Sequence, residues 1–309
     1  MGSSLALYRV LTKMGHRVQV ITPNIYPDFL HWIPGNEQVL IYEKKKREAQ
    51  EVIGGATIIF CLDFNDITRI REFRKLIENN PAYKVMIDHH PDPVLFADCT
   101  ISDISVSSTS ELLYQFFREL QLMHFVDTET ATCIYAGIMT DTGAFSYNSS
   151  QEQTFLIVAE LLTYGFDKDK IHSLVYDNFS ADRMRLLGYC LNEKMKVFPD
   201  FSTAYISITQ EERDRFNFQP GDSEGFVNYP LSISGISFTA LFLEKKDHVK
   251  ISFRSKGDFA VNQFSAKYFD GGGHKNAAGG ESKLSLEETL RKFEDLLPGF
   301  SKDLKENND

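Results

Sequence analysis

Hydrophobic positions in the first two hundred residues switch repeatedly between helical and strand-like spacing. Leu5, Tyr8, Leu11 and Met14 recur every three residues, and Gly15 follows as a stop, which predicts an amphipathic first helix. Residues 18–21 then read as a strand closed by Pro23-Asn24, residues 39–42 as another, and 43–53 as a charged helix ended by Gly54-Gly55. Apolar runs at 56–62 and 84–87 predict two buried strands flanking a helix over 67–79. Strands alternating with helices in this way predict an α/β fold with a parallel, doubly wound sheet. Residues 108–195 read as mostly helical, interrupted at 142–150 and Gly165.

Beyond Lys196 the pattern changes. Residues 204–208, 236–243 and 249–253 are strand-like, 261–269 and 286–296 helical, and 218–228, with Pro220 and two glycines, a loop. The expectation is two domains, 1–192 and 193–309, the second a smaller α/β unit. The tail 301–309 reads as a frayed, solvated end.

Candidate chemistry sits where apolar runs stop. Asp88-His89-His90 follows Val85-Met86-Ile87, Asp63 follows 58–62, and Asp141 follows Ile138-Met139-Thr140. Ligands bind outside the carboxyl ends of strands in open α/β sheets. Alone, Asp63 reads more readily as a helix N-cap and Asp141 as a turn residue. Two adjacent imidazoles after a carboxylate are harder to explain structurally, and the three positions together point to a ligand cluster. Carboxylate oxygens with imidazole nitrogen suit Mn²⁺ or Mg²⁺ better than thiolate-seeking metals. A second signal is Gly271-Gly272-Gly273-His274. Ordering three glycines is costly, and backbone N–H groups approaching an anion in a nest or at a helix N-terminus would justify it; the competing reading is a flexible hairpin. Arg254, beside Ser255 at the end of a strand run, offers a guanidinium fork for phosphate.

Composition narrows the classes. Of 309 residues, 42% are hydrophobic and 25% charged, and the net charge of −10 argues against tracking long duplex nucleic acid. Four cysteines, none in CxxC spacing, indicate neither a zinc site nor a disulfide framework. No run of about 18 apolar residues predicts a membrane span, and no basic leader precedes an apolar segment. The expected location is the cytoplasm.

Taken together, Asp88-His89-His90 and Gly271-Gly272-Gly273-His274, with Asp63, Asp141-Thr142-Gly143 and Arg254-Ser255 in order, resemble the DHH/DHHA1 phosphoesterase family over nearly the whole chain. The layout is most similar to the bacterial nanoRNase and pAp-phosphatase branch. The resemblance implies a DHH catalytic domain and a DHHA1 substrate domain with the active site between them. It implies metal ligation by Asp63, His89 and Asp141, catalytic roles for Asp88 and His90, and substrate binding by Arg254, Ser255, Gly271, Gly272, Gly273 and His274. It further implies Mn²⁺ as cofactor, two ions per site in the intact family, with Mg²⁺ as the alternative. Short oligonucleotides or adenosine 3′,5′-bisphosphate are the implied substrates, and a homodimer the implied assembly. In that family a strand ending in His-x-x-x-Asp-x-Asp precedes the Gly-Ser-Ser that opens the first helix. Met1 stands at that point here, so the expectation is an N-terminally truncated catalytic domain lacking up to three ligands and impaired in turnover. The alternatives are a catalytically impaired nucleotide-binding protein, a pyrophosphatase or exopolyphosphatase, or a phosphodiesterase acting on cyclic-dinucleotide products.

Overall fold

The first helix, α1 (Gly2–Lys13), forms where the three-residue spacing predicts it, burying Leu5, Ala6 and Val10 completely. Gly15 takes φ +89°, the left-handed conformation that ends a helix at little cost to glycine. The computed structural model describes residues 1–306, and the chain divides into two units, Met1–Asn178 and Phe179–Asp309.

In the first unit α1 packs on α5 (Thr128–Asp141). A Cβ at Gly2 would fall 2.5 Å from Cys133 O and 2.8 Å from Gly137 N, so glycine is required for the helices to approach. The strands form two parallel sheets rather than the one expected. In the first, β1 (Ile21–Thr22) pairs with β2 (Leu40–Ile41), and both are shorter than the four residues anticipated at 18–21 and 39–42. Pro23 has no N–H to extend the ladder. In the second, β3 (Ile58–Leu62), β4 (Tyr83–Asp88) and β5 (Cys99–Ser102) lie in that order. The four-residue, half-exposed β5 gave no hydrophobic signal strong enough to read.

Side chains alternate across β4: Val85 and Ile87 join a core with α1, α4 (Thr109–Glu119) and α5, whereas Met86 joins Cys61 in a second core. That second core is closed by α2 (Lys46–Gly54) and α3 (Arg74–Glu78), so helices cover both faces and the unit is doubly wound. The segment over 67–79 is a 3₁₀ stretch, Ile67–Phe73, running into the short α3 rather than one helix. Helices α6 (Glu152–Leu162) and α7 (Lys168–Tyr176) complete the unit.

The second unit begins with α8 (Ala181–Tyr189) and is built on a six-stranded sheet. Its strands are β6 (Met195–Phe198), β7 (Thr203–Ile208), β8 (Phe238–Glu244), β9 (Val249–Ser255), β10 (Gly272–His274) and β11 (Ala277–Ser282). The order is β10-β11-β9-β8-β7-β6, and only β7 and β8 run parallel. A short helix, α9 (Gln210–Arg215), follows β7. On one face Phe238, Phe242 and Phe253 pack with Phe264 of α10 (Val261–Tyr268) and Phe293 of α11 (Leu286–Leu296). On the other, Leu241 and Leu243 meet Leu186 and Leu187 of α8.

The triple glycine forms neither a nest nor a helix N-terminus; it enters a hairpin whose β10 arm pairs antiparallel with β11. A Cβ at Gly271 would lie 2.0 Å from both Gly279 O and Ser265 Oγ, so bare backbone is needed for this hairpin to lie against α10. The tail is also more ordered than expected. Ser301–Glu306 is a helix, α12, that buries Leu304 completely and offers its carbonyl to Ser237 Oγ at 2.9 Å. Residues 307–309 of that tail lie outside the described residues.

Candidate metal centre

Parallel pairing explains why Asp63 and His89 meet. Leu62 of β3 is in register with Ile87 of β4, so the residues that follow the two strands emerge side by side. Asp63 N donates to Ile87 O at 3.2 Å, and Asp63 itself has φ +68°, a left-handed conformation that aspartate tolerates better than most residues. It does not cap a helix; the local turn is made by Asp66, whose Oδ1 accepts from Thr68 N at 2.8 Å. Asp141, rather than forming a free turn, is the last residue of α5. The C-terminal end of a helix carries partial negative charge and favours a cation nearby.

His89 is almost fully buried, and its Nε2 lies 3.0 Å from Asp141 Oδ2 and 3.9 Å from Asp63 Oδ1. The three residues expected to ligate metal are therefore brought together. Asp88, completely buried, accepts at Oδ1 from His89 N at 2.9 Å and pairs with His90 Nδ1 at 2.7 Å. Its Oδ2 is buried with no hydrogen-bond partner among the described residues. An uncompensated carboxylate oxygen of this kind is costly unless a cation or donor reaches it. One oxygen or nitrogen from each of Asp63, Asp88 and His90 also lies within 4.8 Å of the others. Carboxylates and imidazole gathered around an orphaned buried oxygen fit a hard divalent cation.

Burial opposes protonation of His89, but the hydrogen bond and charge of Asp141, with Asp63 behind them, outweigh it and raise the imidazole above its ordinary 6.5. Crowding by protein atoms disfavours the charged form of Asp63, whose side chain is nonetheless half exposed. The α-amino group, His90, the Thr109 hydroxyl and His89 prevail, holding its carboxyl below 3.8. Because a metal needs the neutral imidazole, proton and cation would compete for His89 if it is a ligand. Calorimetric Mn²⁺ affinity is expected to rise about tenfold per pH unit up to the raised pKa of this ring and then level off. Affinity independent of pH across neutrality would remove His89 from the ligand set.

Thr109, which sequence reasoning missed, donates from Oγ1 to Asp63 Oδ1 at 2.8 Å. Its one signal was the Ser107-Ser108-Thr109 run before a hydrophobic helix, which reads first as a cap. Ser108 is indeed the N-cap of α4.

The remaining candidates belong to the second unit. Arg254 lies on β9 in register with Ala277 of β11 and Thr239 of β8, and its Nη1 donates to Phe253 O at 2.8 Å. His274 ends β10, opposite Ala277. Ser255 donates to Phe259 O at 2.7 Å and accepts from Asn276 Nδ2 at 2.9 Å, so its proton is committed to the loop that joins β9 to α10.

The family description "DHH family, N-terminal domain" matches residues 1–138, and "DHHA1 domain" matches 201–301. A probable bifunctional oligoribonuclease and PAP phosphatase NrnA of Streptococcus mutans is 30% identical over 90% of this chain and 86% of its own. The bifunctional oligoribonuclease and PAP phosphatase NrnA of Bacillus subtilis is 30% identical over 80% of this chain and 76% of its own. Among solved structures, an exopolyphosphatase-related protein from Bacteroides fragilis superposes with TM-score 0.93 at 44% identity, covering 98% of this chain and 89% of that one. No helix among the described residues is long and apolar enough to cross a membrane.

Proposed function

This chain belongs to the DHH/DHHA1 family of phosphoesterases, which are metal-dependent hydrolases, and on that footing we propose that it hydrolyses short oligonucleotides and adenosine 3′,5′-bisphosphate. The observation that carries the reading is the approach of Asp63 Oδ1 and Asp141 Oδ2 to His89 Nε2. These three residues would hold Mn²⁺, with Mg²⁺ as the alternative. When bound, the cation supplies positive charge that stabilises the oxyanion developing on phosphorus and acidifies water. Asp88 orients His90 by engaging its Nδ1, and His90 Nε2 is the atom that would donate to a phosphate oxygen. In the second unit, Arg254 would hold a phosphate in bidentate fashion, with His274 and the backbone of Gly271, Gly272 and Gly273 beside it. The choice of substrates follows the two NrnA relatives. A cytoplasmic location and a homodimer belong to the same reading.

The name of the Bacteroides fragilis relative favours inorganic polyphosphate as a second reading. Phosphate release from a dinucleotide, adenosine 3′,5′-bisphosphate, pyrophosphate and polyphosphate with Mn²⁺ present ranks the substrates. Turnover confined to the inorganic compounds would overturn the nucleotide reading, and nucleotide binding without turnover would mark an impaired enzyme. In the same assay Arg254→Ala should raise KM roughly 10- to 100-fold, the equivalent of about 1.5–3 kcal/mol for a hydrogen bond to a charged group. An unchanged KM removes Arg254 from the substrate site.

A further inference from the structure

His89 and Asp63 are both braced by one short segment, residues 106–109, at the start of α4. His89 Nδ1 lies 3.4 Å from Val106 O. A carbonyl only accepts, so Nδ1 is the donor in this contact, and the ring is held with Nε2 turned towards Asp141. Three residues on, Thr109 is buried and donates to Asp63.

That segment is itself held by an unusual group. Glu111, only 1% exposed, is taken up by neutral donors: Ser107 N at 3.1 Å, Ser107 Oγ, and Thr154 Oγ1 of α6 at 2.9 Å, all on Oε2. Ser108 Oγ in turn accepts from Glu111 N at 3.1 Å, so helix and segment grip each other. Burying a carboxylate is costly even when it is hydrogen-bonded, and an apolar residue would join α4 to α6 at less expense. What a leucine could not do is fix the path of residues 106–109 through hydrogen bonds.

We propose that Glu111 is a positioning residue for the metal centre: its buried carboxylate locks residues 106–109, and through Val106 and Thr109 this sets the orientation of the His89 ring and of the Asp63 carboxylate. The proposal extends the metal reading given above, but it makes a claim about the metal-free protein as well. Groups that orient metal ligands typically alter metal affinity about 10- to 100-fold when removed.

The decisive measurement is solvent exchange of the His89 ring Nδ1–H by NMR in the metal-free full chain. Wild type should show a protected proton held by the Val106 carbonyl, and Glu111→Leu, which offers Ser107 and Thr154 no acceptor, should exchange it at least about tenfold faster. Retention of the wild-type exchange rate in Glu111→Leu overturns the proposal, whatever happens to the melting temperature, because a purely structural brace would alter stability alone. Should that variant not fold, Ser107→Ala, which removes a hydroxyl donor to the same carboxylate, carries the same test with the same two outcomes. Mn²⁺ titration adds a second readout. Thr109→Val should weaken binding at least about tenfold, whereas Thr109→Ser, which keeps the hydroxyl, should remain within about threefold of wild type. Equal affinity for both variants and wild type excludes the arm through Thr109. A wild-type chain that binds no Mn²⁺ sinks the metal reading, and the Nδ1–H exchange then decides this inference by itself.

Discussion

His89→Ala is expected to lower Mn²⁺-dependent phosphoester hydrolysis by at least about a thousandfold, with the circular dichroism spectrum of the wild type retained. The imidazole is the point on which the other two proposed ligands converge, at 3.0 Å from Asp141 and 3.9 Å from Asp63. Without it two carboxylates face each other with no neutral donor between them, and their repulsion disfavours the geometry a cation requires. A cation's stabilisation of the transition state amounts to several kcal/mol, and each 1.36 kcal/mol is a factor of ten in rate. The fold should survive, because the cores on both faces of β4 are made by Val85, Met86 and Ile87, not by His89. Turnover within about tenfold of wild type, with Mn²⁺ affinity unaltered, would move the metal centre elsewhere.

Asp88→Asn is the second large effect: a loss of roughly 10²- to 10⁴-fold in kcat, the span of a misplaced proton-transfer group. Asp88 Oδ1 holds both the His89 backbone N–H and the His90 ring. An amide keeps the shape but replaces the carboxylate that holds the His90 ring, and its NH₂ can be turned towards the imidazole instead. The loss should fall on kcat while Mn²⁺ affinity changes by a smaller factor, since Asp63, His89 and Asp141 remain. Equal loss of metal binding would instead make Asp88 a ligand, a role its proximity to Asp63 and His90 allows. Single-turnover kinetics at saturating Mn²⁺ separates the two.

The residues of the candidate centre were legible because each terminates a strong local signal. Asp63 and His89 stand directly after apolar parallel strands, and in such a sheet neighbouring strand ends necessarily open on the same side. Asp141 was legible as a polar residue after an apolar run, just before the break expected at 142–150, and it is the last residue of α5. The weak places were those where hydrophobic pattern carries little information. The half-exposed strand Cys99–Ser102 was missed, and the helix anticipated over 67–79 became a 3₁₀ stretch and a single short helix.

Hydrophobic spacing by itself determined the class of the first unit, the position of its first helix, and the three polar positions where chemistry could sit. Those properties depend on neighbours along the chain, where periods of two and about four residues leave a readable trace. Only the tertiary structure decided that Gly271 and Gly273 serve a tightly packed hairpin, and that Ser255 spends its proton on a loop. The same holds for the partnership of Thr109 with Asp63 and for the buried grip of Glu111 on Ser107 and Thr154. Thr109 and Asp63 are 46 residues apart, and Glu111 and Thr154 are 43 apart. No sequence periodicity reaches that far, because such contacts are fixed by how strands and helices pack across the core.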